Sequence, residues 1–297
     1  MGNNNGHADE NTGHFEPFME ERVEHKVTLD GFWIDVHEVT NSQFEQFVNE
    51  TGYVTTAERI PEKGWLPEGF PEDKLIAGSA VFRPPEKIDR QSDIYQWWQY
   101  LPGADWRHPQ DPGSTIKDKM NHPVVHVTFD DAQAYAKWSG KSLPTEAQWE
   151  YAARGGLEGQ SYTWGNHYRH QETWMANTWQ GDFPTKDSGE DGFAGTAPVG
   201  CYLPNGYGLY DMAGNVWEIV LDKYRPGHSM KDMHNLMGSD GNIDLRVPSG
   251  ASHVIKGGSY LCNPGFCMRY RPAARQHHDY TMGTSHVGFR TVINGEK

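Results

Sequence analysis

Apolar residues follow a helical spacing in a few short stretches of this chain and show no regular period in most of the rest. After Thr40 or Asn41, Phe44, Phe47 and Val48 fall at i, i+3 and i+4, and Gly52 follows. That pattern predicts a short helix capped by a side-chain oxygen and stopped by glycine. Thr128 with Asp131 predicts a second helix running through Trp138 to a stop at Gly140. Thr145 with Gln148 predicts a third, with Trp149, Ala152 and Ala153 on its buried face and Gly155 as its stop. Val27 to Val39 alternates enough to read as a strand, with Leu29, Phe32, Trp33 and Ile34 as core candidates, and Val124 to Phe129 reads as another. Residues 61–121 have no period and are rich in Pro, Gly and Trp, as expected of long ordered loops covering a cleft. Beyond Gly156 short strands between turns take over. No linker, repeat or low-complexity run divides the sequence, so residues 1–297 read as one domain.

Composition sharpens this picture. The chain has 11 Trp, 14 Tyr and 12 Phe beside 33 Gly and 18 Pro, which suits a loop-rich globule with an aromatic core. A net charge of −14 argues against nucleic-acid binding, which needs a basic surface. No apolar run is long enough to span a membrane. Met1 to Glu24 lacks the apolar core of a secretory leader, and the opening Met-Gly-Asn-Asn-Asn-Gly reads like the interior of a domain. The expectation is a soluble protein of open compartment, with the acidic opening from Asp9 to Glu24 as a solvated terminus.

The chemistry concentrates near the C-terminus. Two of only three cysteines, Cys262 and Cys267, lie close together beside Arg269, Arg271 and Arg275. From His253 onward Lys256, Arg269, Arg271, Arg275, Arg290 and Lys297 face only Asp279 and Glu296. Nearby positive charge favours thiolates, the nucleophilic and metal-binding form. Cys-x4-Cys lacks the spacing of a structural zinc site, whereas two thiolates suit Cu(I). A local disulfide closing a small loop, or two buried free thiols, fits the spacing as well. Cys201 reads as a small buried hydrophobe. His122 with His126, and His277 with His278, could be weighed as ligands, but scattered histidines of this kind are mostly surface or hydrogen-bonded residues.

The segment Gly257-Gly258-Ser259-Tyr260-Leu261-Cys262-x4-Cys267-x-Arg269-Tyr270-Arg271-x-Ala273-Ala274-Arg275, with Val287-Gly288-Phe289-Arg290 downstream, resembles the signature of the formylglycine-generating enzymes, or sulfatase-modifying factors. The likeness extends through Glu38-Val39-Thr40-Asn41, His122-Pro123-Val124, Leu143-Pro144-Thr145-Glu146, Asn177-Thr178-Trp179-Gln180-Gly181 and Gly214-Asn215-Val216-Trp217-Glu218. Several of these blocks are shared with non-catalytic and iron-dependent members of a broader superfamily, so the cysteine pair is the discriminating element.

The resemblance implies an α+β fold, a single loop-rich domain of C-type-lectin-like character with little regular secondary structure. It implies an oxidase that converts a cysteine of a Cys-x-Pro-x-Arg segment, in an unfolded or extended sulfatase polypeptide, to formylglycine with O2 as acceptor. By the same likeness Cys262 and Cys267 bind Cu(I), and Ser259, Trp217 and Arg269 line or support that centre. Structural calcium is expected at Asn177, Thr178, Asp191 and Phe193, and again at Asp211, Gly214, Val216 and Glu218; loop oxygens of this kind suit a hard cation. This chain departs from the family pattern in four places. Asn263 and Phe266 stand where relatives often have His and Tyr. Thr281-Met282-Gly283 replaces Asp-Ser-Ser, Ile219 replaces Trp, and Asp211 replaces Asn. The alternatives are a non-catalytic binding module of the same fold, whose cysteines only form a disulfide, and a paralogue that oxidises a different thiol.

Overall fold

Side-chain capping decides where the helices begin. A computed structural model describes residues 1–4, 7–8, 15–16, 18–62, 75–88, 96–225, 228, 233–234, 252–279 and 281–295. In chain order the elements are β1 (His7–Ala8), β2 (Phe15–Glu16), β3 (Val27–Thr28), β4 (Phe32–Ile34), α1 (Asn41–Thr51), β5 (Gly78–Phe82), β6 (Trp98–Pro102), α2 (Phe129–Trp138) and α3 (Glu146–Arg154). They continue with β7 (Gly181–Asp182), β8 (Lys186–Asp187), β9 (Trp217–Lys223), β10 (Met233–His234), β11 (Ser252–Lys256), β12 (Gln276–Asp279), β13 (Val287–Gly288) and β14 (Val292–Asn294). Thr40, Thr128 and Thr145 each accept from the third residue of their helix, and Gln43, Asp131 and Gln148 return the bond. Gly52 and Gly155 close α1 and α3 in left-handed geometry, which glycine adopts without a Cβ penalty.

The apolar faces of α1 and α2 meet in a ring-packed core. Phe44 sits edge-on to Trp106 at 5.2 Å and Phe47 edge-on to Tyr135 at 5.6 Å, with Phe289 against Tyr135 at 5.4 Å. Such edge contacts add about 0.5–1.5 kcal/mol per pair beyond area burial. Behind them stands the one sheet of more than two strands among the described residues, in the order β12-β11-β9-β13. β11 runs antiparallel to β9 and β12, while β13 runs parallel to β9. Among the described residues no helix is long and apolar enough to cross a membrane.

Three local expectations need correction. Val27 to Val39 breaks into β3 and β4, and Trp33 is 75% exposed, opposite Ile293 of β14. The two-residue alternation of a strand sends Phe32 and Ile34 inward and Trp33 outward, so three consecutive residues could not all be core. Residues 124–128 form no strand: His126 has φ +61°, and Phe129 already belongs to α2. Val124, Val125 and Val127 are nonetheless buried. The stretch read as loops contains the hairpin β5–β6, paired from Gly78↔Pro102 to Phe82↔Trp98. Residues 63–74 and 89–95 of that stretch lie outside the described residues.

The acidic opening is not simply a solvated terminus. Glu21 is fully buried and pairs with Arg271, and Glu20 pairs with Arg269 at 2.7 Å. These belong to a wider network. Arg275 donates to Glu146 at 2.8 Å, Arg290 to Glu218 at 2.6 Å, and buried Lys256 lies 3.6 Å from Glu146 and 3.4 Å from Glu150. Breaking a buried pair by removing one partner costs about 3–5 kcal/mol, because the remaining charge is stranded.

One carboxyl in this network is out of balance. Burial and the neighbouring Glu146 push Asp222 up to about 7, while its Oδ2 accepts the Glu146 N–H at 2.7 Å. An acid held protonated in the fold contributes stability that is present below its unfolded value and is lost as pH rises through the folded value. Wild-type stability, measured by urea unfolding, should therefore decline between about pH 4 and pH 7 relative to Asp222→Asn. Parallel pH profiles for the two proteins would contradict this.

Candidate active site around the cysteine pair

After β11 the chain turns through Gly257 and Gly258, at φ +90° and +72°. A Cβ on Gly258 would come within 2.9 Å of the Tyr270 nitrogen, so the close approach of the two loop arms requires glycine. Ser259 is buried; its carbonyl accepts the Cys262 N–H at 2.9 Å and its Oγ the Leu261 N–H at 3.2 Å. Asn263 closes the turn. Its carbonyl accepts from Phe266, Cys267 and Met268 at 3.2, 3.0 and 3.2 Å, and its Oδ1 accepts from Gly265 at 2.8 Å.

This turn brings Cys262 and Cys267 together as a disulfide, with Cα atoms 4.8 Å apart and exposures of 2% and 8%. Of the alternatives left open by the spacing, the structure holds the local disulfide. It is the oxidised form of the pair, whereas the copper expectation concerns the dithiol. Both sulfurs converge on one buried point, so the reduced pair presents two soft donors together, a donor set that fits Cu(I). Cys201, expected to be buried, is exposed.

The other expected residues divide. Trp217 is buried in the same apolar cluster as Cys262, Cys267, Tyr270 and Val287. Arg269 is committed elsewhere: its guanidinium binds Glu20 and lies 5.5 Å over the Phe18 ring. The basic stretch that suggested a lowered thiol pKa is thus largely neutralised by its carboxylate partners.

Sequence reading anticipated an aromatic cleft but not its make-up. Phe266, 50% exposed at the tip of the cysteine turn, stacks on Phe183 at 4.1 Å and meets Trp97 edge-on at 5.7 Å. Phe183 in turn packs edge-on against Trp179 at 5.2 Å, and the Trp179 N–H donates to the Cys262 carbonyl at 2.9 Å. The many aromatic residues in the irregular stretches were the available signal, but nothing in their spacing showed which ones meet. Beside this platform a cleft of about 770 Å³ is lined by Asn263, Pro264, Trp174, Trp179 and Arg169, whose guanidinium stacks 3.8 Å over Trp174.

Two of the histidines weighed as ligands, His122 and His126, are hydrogen-bonded. His126 is buried, bonded through Nδ1 to the Ser79 hydroxyl and through Nε2 to the Pro109 carbonyl at 2.8 Å, and burial lowers it to about 4. His122 is bonded to Thr196 at 3.0 Å. Gly283 of the divergent Thr281-Met282-Gly283 segment lies against His126, where a Cβ would come 2.6 Å from the carbonyl carbon.

Of the two oxygen-rich sets, the first comes together in part. Asp191 Oδ2 accepts from Thr178 N and Gln180 Nε2, each at 2.9 Å, and Oδ1 accepts from Phe193 N at 3.1 Å. Gln180 Nε2 also reaches the Thr178 carbonyl, so that carbonyl and the Asp191 carboxylate converge. Asn177 Oδ1 is buried with no partner. In the second set Asp211 Oδ2 accepts from Gly200 at 2.7 Å. Gly214 and the buried Val216 lie on the loop that follows. Both Glu218 oxygens already accept from Arg290, and Oε2 also accepts from Trp149 at 2.7 Å. The unpartnered buried acceptor near this set is Glu38 Oε2, on a carboxyl raised well above its ordinary value by burial and by Asp211. Asn215 joins the sets, its N–H donating to the Asn177 carbonyl at 2.8 Å. Among the described residues no three His, Cys, Asp or Glu side chains form a metal site, so a cation here would depend on amide and backbone oxygens.

The chain is similar to known proteins along nearly its whole length. Residues 2–295 match the model of the sulfatase-modifying factor enzyme 1-like domain. The chain is 44% identical over 277 residues to the formylglycine-generating enzyme of Mycobacterium tuberculosis, covering 93% of this chain and 92% of that one. It is also 45% identical over 230 residues to the mouse inactive C-alpha-formylglycine-generating enzyme 2, covering 77% of this chain and 66% of that one. The structure of PvdO from Pseudomonas aeruginosa superposes with a TM-score of 0.58 at 22% identity, covering 97% of this chain and 89% of that one. With its mixed, loop-rich architecture and its glycine-built cysteine turn, the chain belongs to the sulfatase-modifying factor family of formylglycine-generating enzymes.

Proposed function

We propose that this protein is a copper-dependent oxidase that uses O2 to convert a cysteine of an extended sulfatase-type Cys-x-Pro-x-Arg segment to formylglycine. The observation that carries this reading is the convergence of Cys262 and Cys267 in a buried turn beneath an aromatic platform. The reduced pair would hold Cu(I) through its two sulfurs. When bound, that ion supplies one-electron chemistry with dioxygen, which no side chain here offers.

This chain's residues supply the setting. Ser259 fixes the Cys262 end of the turn, and Asn263 fixes the Cys267 end. Trp217 and Tyr270 keep water from the inner side of the pair. Arg269 steadies the outgoing arm through Glu20. Phe266 and Phe183 offer ring faces to an extended client, and because Phe266 has no hydroxyl it holds that client by stacking alone. A net charge of −14 favours a client segment that carries arginine.

A second reading, a non-catalytic module, has two observations in its favour: the cysteines are disulfide-bonded, and an inactive relative reaches a similar identity to an active one, though over 230 residues rather than 277. After reduction and Cu(I) loading, the wild type in air should give an aldehyde on a Cys-x-Pro-x-Arg peptide. Cys262→Ser and Cys267→Ser should give none, and Trp217→Phe should retain it. A wild type that binds copper and leaves the peptide unchanged, while oxidising another thiol, would indicate a different client. No product with any thiol would favour the module.

The calcium reading is supported by Asn177 Oδ1 without a partner and by the convergence of Thr178 and Asp191. At the second set Glu218 would have to share its oxygens with Arg290. Calcium at about a hundred times its Kd should add about 2.7 kcal/mol per site. Chelation should therefore lower Tm in the wild type, and by less in Asn177→Ala. An identical Tm with calcium and with chelator would remove both sites from the account.

A further inference from the structure

The segment Phe18–Glu21, read from sequence as part of a solvated terminus, lies against the arm that leaves the cysteine turn. Glu21 grips Arg271 with both carboxylate oxygens, Oε2 accepting from Nη1 at 2.9 Å and Oε1 from Nη2, and the two side chains are 1% and 2% exposed. The Phe18 ring lies 4.0 Å under the same guanidinium. The third Arg271 nitrogen, Nε, donates to the Met268 carbonyl at 2.7 Å.

Met268 directly follows Cys267 and has φ +43°, a left-handed conformation that an unbranched non-glycine residue holds only when its surroundings impose it. Arg271 is the group that bonds its carbonyl, and Glu21, far away in sequence, fixes Arg271. We propose that Glu21 is a positioning residue for the Cys262/Cys267 couple: through Arg271 it clamps the Met268 turn and sets how readily the disulfide is reduced.

With the clamp in place Cys267 stays opposite Cys262 at a Cα separation within the range a disulfide needs. Released, Met268 can leave the left-handed region and carry Cys267 away, which favours the dithiol. Reduction breaks the S–S bond and adds two electrons and two protons, while two glutathione thiols become one glutathione disulfide. The inference rests on the function proposed above only for its catalytic consequence. The equilibrium is read on the cysteines themselves, so its failure and a failure to bind copper are separate results.

The test is a redox titration of the full chain against glutathione buffers, with the Cys262/Cys267 state trapped by alkylation and counted by mass. Glu21→Gln should shift the equilibrium toward the dithiol about tenfold, or ~30 mV. Arg271→Lys keeps the charge but cannot bond Met268 and Glu21 together, and it should shift the same way. It decides the matter if Glu21→Gln does not fold. Glu20→Gln removes the neighbouring ion pair, which does not reach the Met268 carbonyl, and should shift the equilibrium less than Glu21→Gln does. Glu146→Gln weakens a distant buried pair; it should lower Tm and leave the equilibrium unchanged. The proposal is overturned if Glu21→Gln and Arg271→Lys titrate like the wild type, or if Glu146→Gln shifts the equilibrium by the same factor.

Discussion

The pairing of C-terminal cations with carboxylates from distant parts of the chain is the constraint on which the rest of this structure depends. Arg269 and Arg271 meet Glu20 and Glu21, Arg275 and Lys256 meet Glu146, and Arg290 meets Glu218. Most of these side chains are buried, and a buried charge without its partner is far costlier than the pair is stabilising. Local helix and turn preferences leave long irregular segments free to wander; charge satisfaction does not. Arg269 and Arg271 pin the C-terminal stretch to the N-terminal segment, Arg275 and Lys256 pin it to α3 and Arg290 pins it to β9, and the cysteine turn lies among those anchors. Lys256, Arg271, Arg275 and Arg290 of this stretch are all buried with their partners.

What the sequence made legible follows from how local the physics is. The three capping boxes and the stops at Gly52 and Gly155 depend on residues three or four apart, and they stand as read. Trp33 and residues 124–128 misled because apolar content was read without the alternation or backbone reversal that decides which way a side chain faces. The β5–β6 hairpin has no tight turn dipeptide joining it, so no short-range signal announced it. The ion pairs were illegible for a different reason. A glutamate near the N-terminus looks solvated until the fold brings Arg271 to it across 250 positions. At the site the motif marked the cysteines and Ser259, while nothing local showed that Arg269 would pair with Glu20.

The departures from the family pattern fall at points the structure makes intelligible. Phe266 exchanges a hydroxyl for a stacking contact with Phe183. Gly283 is accommodated against the His126 backbone, where a larger residue would collide. Asp211 puts a carboxylate near Glu38 and Glu218, and burial raises it above its ordinary range. Ile219 is fully buried in the cluster that holds the cysteines. None of these changes replaces either cysteine.

The central claim is that the turn from Ser259 to Met268 presents two sulfurs as one soft metal-binding centre, with the disulfide as its resting oxidised form. The most direct measurement is a competition titration of the fully reduced protein with Cu(I) under anaerobic conditions, with Cys262→Ser and Cys201→Ser alongside. The account predicts one tightly held copper per chain, lost in Cys262→Ser and kept in Cys201→Ser. Copper held equally well by all three proteins, or by none of them, would contradict it.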